Sequence, residues 1–133
     1  MVEKIAYSQL TTGFEFAPSV FTLDAGTVSA YLRATEDKNK LYQNRIVPPM
    51  AIVALAMAAM AERFILLPGT VHVSQQIEFV SAVEVGETLT SHAKVNRKIA
   101  RGKFHMLNVG INVANSKTQP VITGEVGFIL PLS

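Results

Sequence analysis

The stretch ATEDKNKLYQNRIVPPMAIVALAMAAM, Ala34–Met60, passes from a crowded polar loop straight into a helix with almost no polar face. Pro48 and Pro49 suit the first turn of that helix, where a missing N–H does no harm and the fixed φ is already helical. Ala51, Ala54, Ala56, Ala58, Ala59 and Ala61 alternate with Ile52, Val53, Leu55, Met57 and Met60. A helix apolar on every side is expected to be buried on every side, and its small alanines let neighbouring backbones come close. The pattern predicts a helix to about Leu66, ended by Pro68-Gly69. Glu62 and Arg63 interrupt it well short of the ~20 apolar residues a bilayer crossing needs, so it reads as a core helix and not as a membrane anchor.

Upstream, FEFAPSVFTLDAGTVSAYLRATED reads as an extended segment through Leu23, then Asp24 as N-cap of a short amphipathic helix carrying Val28, Tyr31 and Leu32. Downstream, everything after Gly69 reads as strand. Val71, Val73, Ile77 and Phe79 fall on one parity and His72, Ser74, Gln76 and Glu78 on the other, the period of a half-buried strand. A second strand follows the turn at Val85-Gly86. A third, with His105, Leu107, Val109, Ile111 and Val113 on one face, follows a turn near Arg101-Gly102. In the last strand Ile122, Val126, Phe128 and Leu130 point inward. The expected fold class is therefore α+β, a long antiparallel sheet curled around one buried helix.

The 133 residues fit a single domain, 1–133. Hydrophobic residues make up 49% and charged ones 17%, a balance that points to a large buried interface or a ligand cleft. A net charge of only +2, with no block of like charges, argues against nucleic acid as a partner. The absence of cysteine removes disulfides and thiolate chemistry. Without a leader pattern in MVEKIAYSQLTTG the expected location is the cytoplasm. There is no glycine-rich phosphate loop, no His pair at helical metal spacing and no Gly-x-Ser-x-Gly elbow, so no metal or cofactor is expected.

Three segments together resemble the MaoC-like dehydratases and (R)-specific enoyl-CoA hydratases, which have the hot-dog fold. Asp37-Lys38-Asn39-Lys40-Leu41-Tyr42 stands where that family carries Asp-x-Asn-Pro-x-His ahead of the central helix. Ile46-Val47-Pro48-Pro49-Met50 is similar to its helix entry. Pro68 to Phe79, followed by Val83-Glu84-Val85-Gly86-Glu87-Thr88-Leu89, matches its strand and turn signature, of which Gly86-Glu87-Thr88-Leu89 is the most specific piece. The likeness spans nearly the whole chain.

The resemblance implies a thioester substrate, carried on coenzyme A or an acyl carrier, and a place in fatty-acid metabolism. In the family the loop Asp and His work together on a water, and a Gly at the helix start offers its N–H to the thioester oxygen. Here Asp37 keeps the acid, but Tyr42 stands in the His position, Pro49 in the Gly position, and Met57 where some members have a hydrogen-bonding Ser. Tyrosine, with an ordinary pKa near ~10 against ~6.5 for His, is a poor proton relay at neutral pH. Proline has no N–H to give. The pattern resembles the partner subunits of two-gene hydratases, which shape the acyl channel while a sister hot-dog chain supplies Asp and His. The implied catalytic residues are Asp37 and Tyr42, and the implied substrate-binding residues are Asn39, Pro48, Pro49 and Met57.

Several readings stay open at this point. Asp37 reads either as a base or as the cap of a local turn. The basic residues Arg97, Lys98 and Arg101 sit at a hairpin tip, either for solubility or to hold the phosphates of coenzyme A. His72, His92 and His105 read as sheet residues. The chain pairs with itself or with a second hot-dog chain. Alternatives to the partner subunit are a homodimeric hydratase using Asp37, a non-catalytic acyl-CoA-binding protein, and a thioesterase.

Overall fold

A computed structural model describes residues 4–40, 45–65 and 67–131. The chain opens with a short 3-10 turn, Tyr7–Gln9, then β1 (Ser19–Thr22), α1 (Ala25–Thr35), α2 (Pro49–Ala61), β2 (Val71–Phe79), β3 (Thr88–Arg101), β4 (Phe104–Asn115) and β5 (Pro120–Pro131). The strands form one antiparallel sheet in the order β1-β3-β4-β5-β2. This is the predicted element order.

Local signals explain the boundaries. Asp24 caps α1, its Oδ1 accepting from the Thr27 N–H at 2.7 Å. Pro49 is the first residue of α2. That helix stops at Ala61, with Glu62 as its C-cap, rather than running to Leu66, which lies outside the described residues. Gly69 and Gly102 supply the positive φ of the turns that enter β2 and join β3 to β4.

The core lies between α2 and the inner face of the sheet. Ala51, Ile52, Val53, Ala56 and Met60 of the helix join Leu89, Val95, Leu107, Val109, Ile111, Val113, Ile122, Val126, Phe128 and Leu130 in one buried cluster. The inward residues expected on β4 and β5 are there; His105, at the start of β4, is only half-buried. The expectation that α2 is buried on every side does not hold. Ala54 and Ala58 are exposed, and Met50 is 45% exposed, because in a single chain the sheet covers one side of the helix only.

Among the described residues the ladders shift register at three places; the shift where Val113 and Ala114 of β4 meet β5 leaves both Val121 and Ile122 buried, and two bulges alter the faces that simple alternation assigns. The first interrupts β2 between His72 and Ser74. A bulge adds a residue and flips the parity beyond it, so His72 faces inward, its ring 5.2 Å from that of Phe128, while Val71 pairs with Ile129 on the outer side. β2 is also not half-buried as expected, since every residue except Ile77 is exposed. The second bulge, between Val95 and Arg97, folds the Asn96 side chain over Gly110 to donate to Glu125 at 2.9 Å. Past it, Lys98 pairs with Leu107 and so turns to the inner face.

Gly124 permits the close approach of β2 to β5. A Cβ there would collide with the carbonyl of Gln76 and the side chain of Ile77. Gly124→Ala is expected to cost about 1–3 kcal/mol, the range for overpacking, read from urea denaturation. The backbone hydrogen bond from Thr27 holds the Asp24 carboxyl below its usual pKa. A depressed pKa stabilises the fold above the ordinary carboxylate range and ceases to do so as pH falls through it. The melting-temperature gap between the wild-type chain and Asp24→Ala is therefore expected to be widest near neutral pH and to narrow in acid.

Candidate active-site region

The three segments singled out in the sequence sit on different supports. The loop after α1 begins with a Schellman turn: Glu36 takes the left-handed conformation at φ 54°, and the N–H groups of Glu36 and Asp37 donate to the carbonyls of Arg33 and Leu32. That turn fixes where Asp37 starts. Its carboxylate Oδ1 then accepts from the Asn39 N–H at 2.9 Å, which is the turn-capping geometry. Asp37 is half-buried and lines an open hollow of about 760 Å³ together with Ser29, Leu32, Arg33, Glu36 and Lys38. The sequence reading missed Ser29, Leu32, Arg33 and Glu36 as companions of Asp37. The spacing of Ser29, Leu32 and Arg33 on α1, three and four residues, which puts them on one helical face, was the available signal; Glu36 follows as the residue that ends the helix.

The helix entry is held by the turn signature. Val47 N–H donates to the Val83 carbonyl at 2.8 Å and Val85 N–H to the Arg45 carbonyl at 2.7 Å, with an Ile46–Glu84 bridge between them. The exposed Arg45–Glu84 ion pair at 3.4 Å lies on the same strap. Gly86, at φ 95°, donates to the Leu23 carbonyl at 2.9 Å, tying the turn to the segment ahead of α1. The structure thus brings the Pro48-Pro49 entry and the Gly86 turn together. Pro48 is buried, Pro49 half-buried, and the Ala51 N–H is already spent on the Pro48 carbonyl at 3.0 Å.

Of the remaining candidates, Asn39 is exposed and Met57 half-buried on α2. Tyr42 lies outside the described residues. Arg97 and Arg101 are exposed on β3. Lys98 is not with them: its Nζ donates to the carbonyls of Tyr7 at 3.0 Å and Leu10 at 2.8 Å, and sits 4.2 Å from the centre of the Tyr7 ring. The bulge at Asn96 explains this, since it turns Lys98 away from the hairpin surface. Tyr7 also meets the His105 ring edge-on at 4.9 Å, and burial pushes its phenol pKa up. Among the described residues no three His, Asp or Glu side chains gather as a metal site, and no helix is long and apolar enough to cross a membrane.

Comparison with known proteins adds a family and a fold. Residues 10–124 match the model described as "FAS1-like, dehydratase domain region". No curated protein matches the chain significantly. Among solved structures, the unliganded R-hydratase PhaJ1 from Pseudomonas aeruginosa is 22% identical, with a TM-score of 0.83 over 99% of this chain and 89% of that one. The (R)-hydratase from A. caviae involved in PHA biosynthesis is 20% identical, with a TM-score of 0.77 over 92% of this chain and 98% of that one. The C-terminally truncated 3R-hydroxyacyl-ACP dehydratase complex HadBC from Mycobacterium tuberculosis is 14% identical, with a TM-score of 0.72 over 89% of this chain and 96% of that one. The fold is the hot-dog fold, as the sequence led one to expect.

Lys98→Met is expected to cost about 2 kcal/mol of stability, because two carbonyls lose a charged donor. Arg97→Ala and Arg101→Ala, exposed on the strand, should stay within about 0.5 kcal/mol of wild type. Chemical denaturation of the three variants separates the inward cation from the outward ones.

Proposed function

We propose, since the chain belongs to the FAS1-like dehydratase-region family, that it serves the hydration of 2-enoyl thioesters or the dehydration of 3-hydroxyacyl thioesters as a substrate-binding or structural subunit. The observation that carries this reading is the helix entry. An enolate-like thioester oxygen needs a preorganised donor, and at the first position of α2 stands Pro49, which has no N–H. Two positions on, the Ala51 N–H is already bonded to the Pro48 carbonyl.

The loop points the same way. The carboxylate of Asp37 is engaged by the Asn39 N–H, a role that orders the loop without proton transfer. Tyr42, in place of the family's His, would be a weak relay at neutral pH. In this reading α2, Met57 and the proline entry shape one wall of an acyl channel, and a second hot-dog chain brings the Asp and His that act on water. HadBC is a 3R-hydroxyacyl-ACP dehydratase that is itself a complex, which supports a reading in which this chain works together with another.

The test follows loss of the conjugated enoyl-thioester absorbance of crotonyl-CoA. The chain alone is expected to leave the signal unchanged, and co-expression with a hot-dog chain bearing the complete Asp-x-Asn-Pro-x-His loop is expected to restore hydration. Turnover by the chain alone that Asp37→Asn abolishes would overturn the reading in favour of a self-sufficient hydratase. Release of free thiol instead would assign a thioesterase.

A further inference from the structure

The end of the sheet away from the helix entry holds a second cavity, of about 490 Å³, between the N-terminal 3-10 turn and the β3–β4 hairpin. Ser8, Lys98 and His105 give it polar groups, and Leu67 and Pro131 give it an apolar side. It shares no residue with the hollow beside Asp37. β3 starts at Thr88, next to the Gly86 turn that ties the entry, and Lys98 lies about 33 Å of strand beyond it.

Two neighbouring strands aim a basic side chain at one spot. Past the bulge at Asn96, Lys98 stands opposite Leu107 on the inner face, and His105 lies two residues from Leu107 on the same face of β4. The two are diagonal neighbours across the pair, a separation that long side chains bridge. Tyr7 is the piece they share: the ammonium sits 4.2 Å over the centre of its ring, and the imidazole meets the ring edge-on at 4.9 Å. The phenol oxygen is buried with no hydrogen-bond partner among the described residues, so the cluster is built on the ring and not on the hydroxyl.

The charge on Lys98 is solvated but not neutralised. Two of its N–H groups go to the carbonyls of Tyr7 and Leu10, which leaves one to spare. No residue lining the cavity carries a carboxylate, and Lys98 has no ion pair among the described residues. The imidazole of His105 has no hydrogen-bond partner among them either, and in each tautomer it brings one N–H. We propose that this cavity binds a small carboxylate with a short apolar tail. The carboxylate takes one hydrogen bond from Lys98 and one from His105, with the Ser8 hydroxyl at the rim, and the tail lies along Leu67 and Pro131. Two inward donors match the two oxygens of a carboxylate, whereas a phosphate has three oxygens to satisfy and a larger charge to meet. The inference does not rest on the functional reading above, because the cavity lies at the other end of the sheet from the helix entry.

The test is a titration of the isotope-labelled chain with sodium butyrate at constant ionic strength, read from amide NMR shifts. Saturable shifts are expected around Tyr7, Lys98 and His105. Butyramide, with the same tail and no charge, should produce none, and inorganic phosphate at equal concentration should not displace butyrate. Both of these comparisons use the wild-type chain. His105→Ala leaves the two Lys98–carbonyl bonds in place, and, once circular dichroism shows it folded, it should bind butyrate about tenfold more weakly, the loss of one hydrogen bond to a charged group. Lys94→Ala, which removes an exposed cation of the same strand, should bind as the wild type does. The proposal is overturned by shifts that rise without saturating, by butyramide binding as well as butyrate, by displacement with phosphate, or by a folded His105→Ala chain of unchanged affinity.

Discussion

The structure depends on covering one helix. α2 has no polar side to turn to water, and each side chain of its size left exposed instead of buried forgoes about 1.5–3 kcal/mol. A flat sheet would touch it along a line. The long strands β3, β4 and β5 instead curve over one side of it, with Leu89, Val95, Leu107, Val126 and Leu130 almost completely removed from solvent. The curvature has a local cause in the two bulges and in the glycine that lets β2 close on β5, since bulges bend and twist the strands they interrupt. The same bulges decide which side chains face the helix, so the curvature of the sheet and the lining of its inner face are set by the same few residues.

Lys98 shows how far this reaches. A cation on the inner side of a hydrophobic sheet is costly unless its charge is met. Here the N-terminal segment meets it, bringing the carbonyls of Tyr7 and Leu10 to the ammonium. Arg63 does a similar service after α2, its guanidinium bonding Ser19 Oγ at 3.0 Å and the Pro18 carbonyl at 3.1 Å. Both cations fasten the first twenty residues to elements formed much later in the chain. The helix entry and the Gly86 turn, by contrast, are held together mainly by backbone bonds, so their geometry depends little on which side chains they carry.

Most of the fold was legible because its signals are local. Proline at the start of α2, aspartate at the start of α1, alternation along much of β4 and β5, and glycine in the turns each act within a few residues. The faces of β2 and the far half of β3 were not legible, because a bulge inserts one residue without a sequence mark as strong as a turn's, and one residue is enough to send His72 inward and Lys98 with it. The exposure of Ala54 and Met50 was misread for a different reason: composition reports that a helix wants cover, and says nothing of which chain provides it. At the site, Pro49 and Asp37 were found by family pattern, whereas the Schellman turn that places Asp37 needed the left-handed Glu36, a residue with no preference for that conformation.

The position of α2 in the chain has a consequence for synthesis. Every long strand that covers the helix follows it in sequence, the last ending at Pro131, while the helix itself ends at Ala61. At roughly 5–20 residues per second, the most hydrophobic element of the protein exists for several seconds before its cover does. The anchors of the N-terminal turn wait as long, since Lys98 lies 91 residues beyond Tyr7. Folding of the core is thus largely deferred until β5 has been made. A nascent chain of this design is a natural client for ribosome-associated chaperones, which would shield the alanine- and methionine-rich helix until the sheet closes over it.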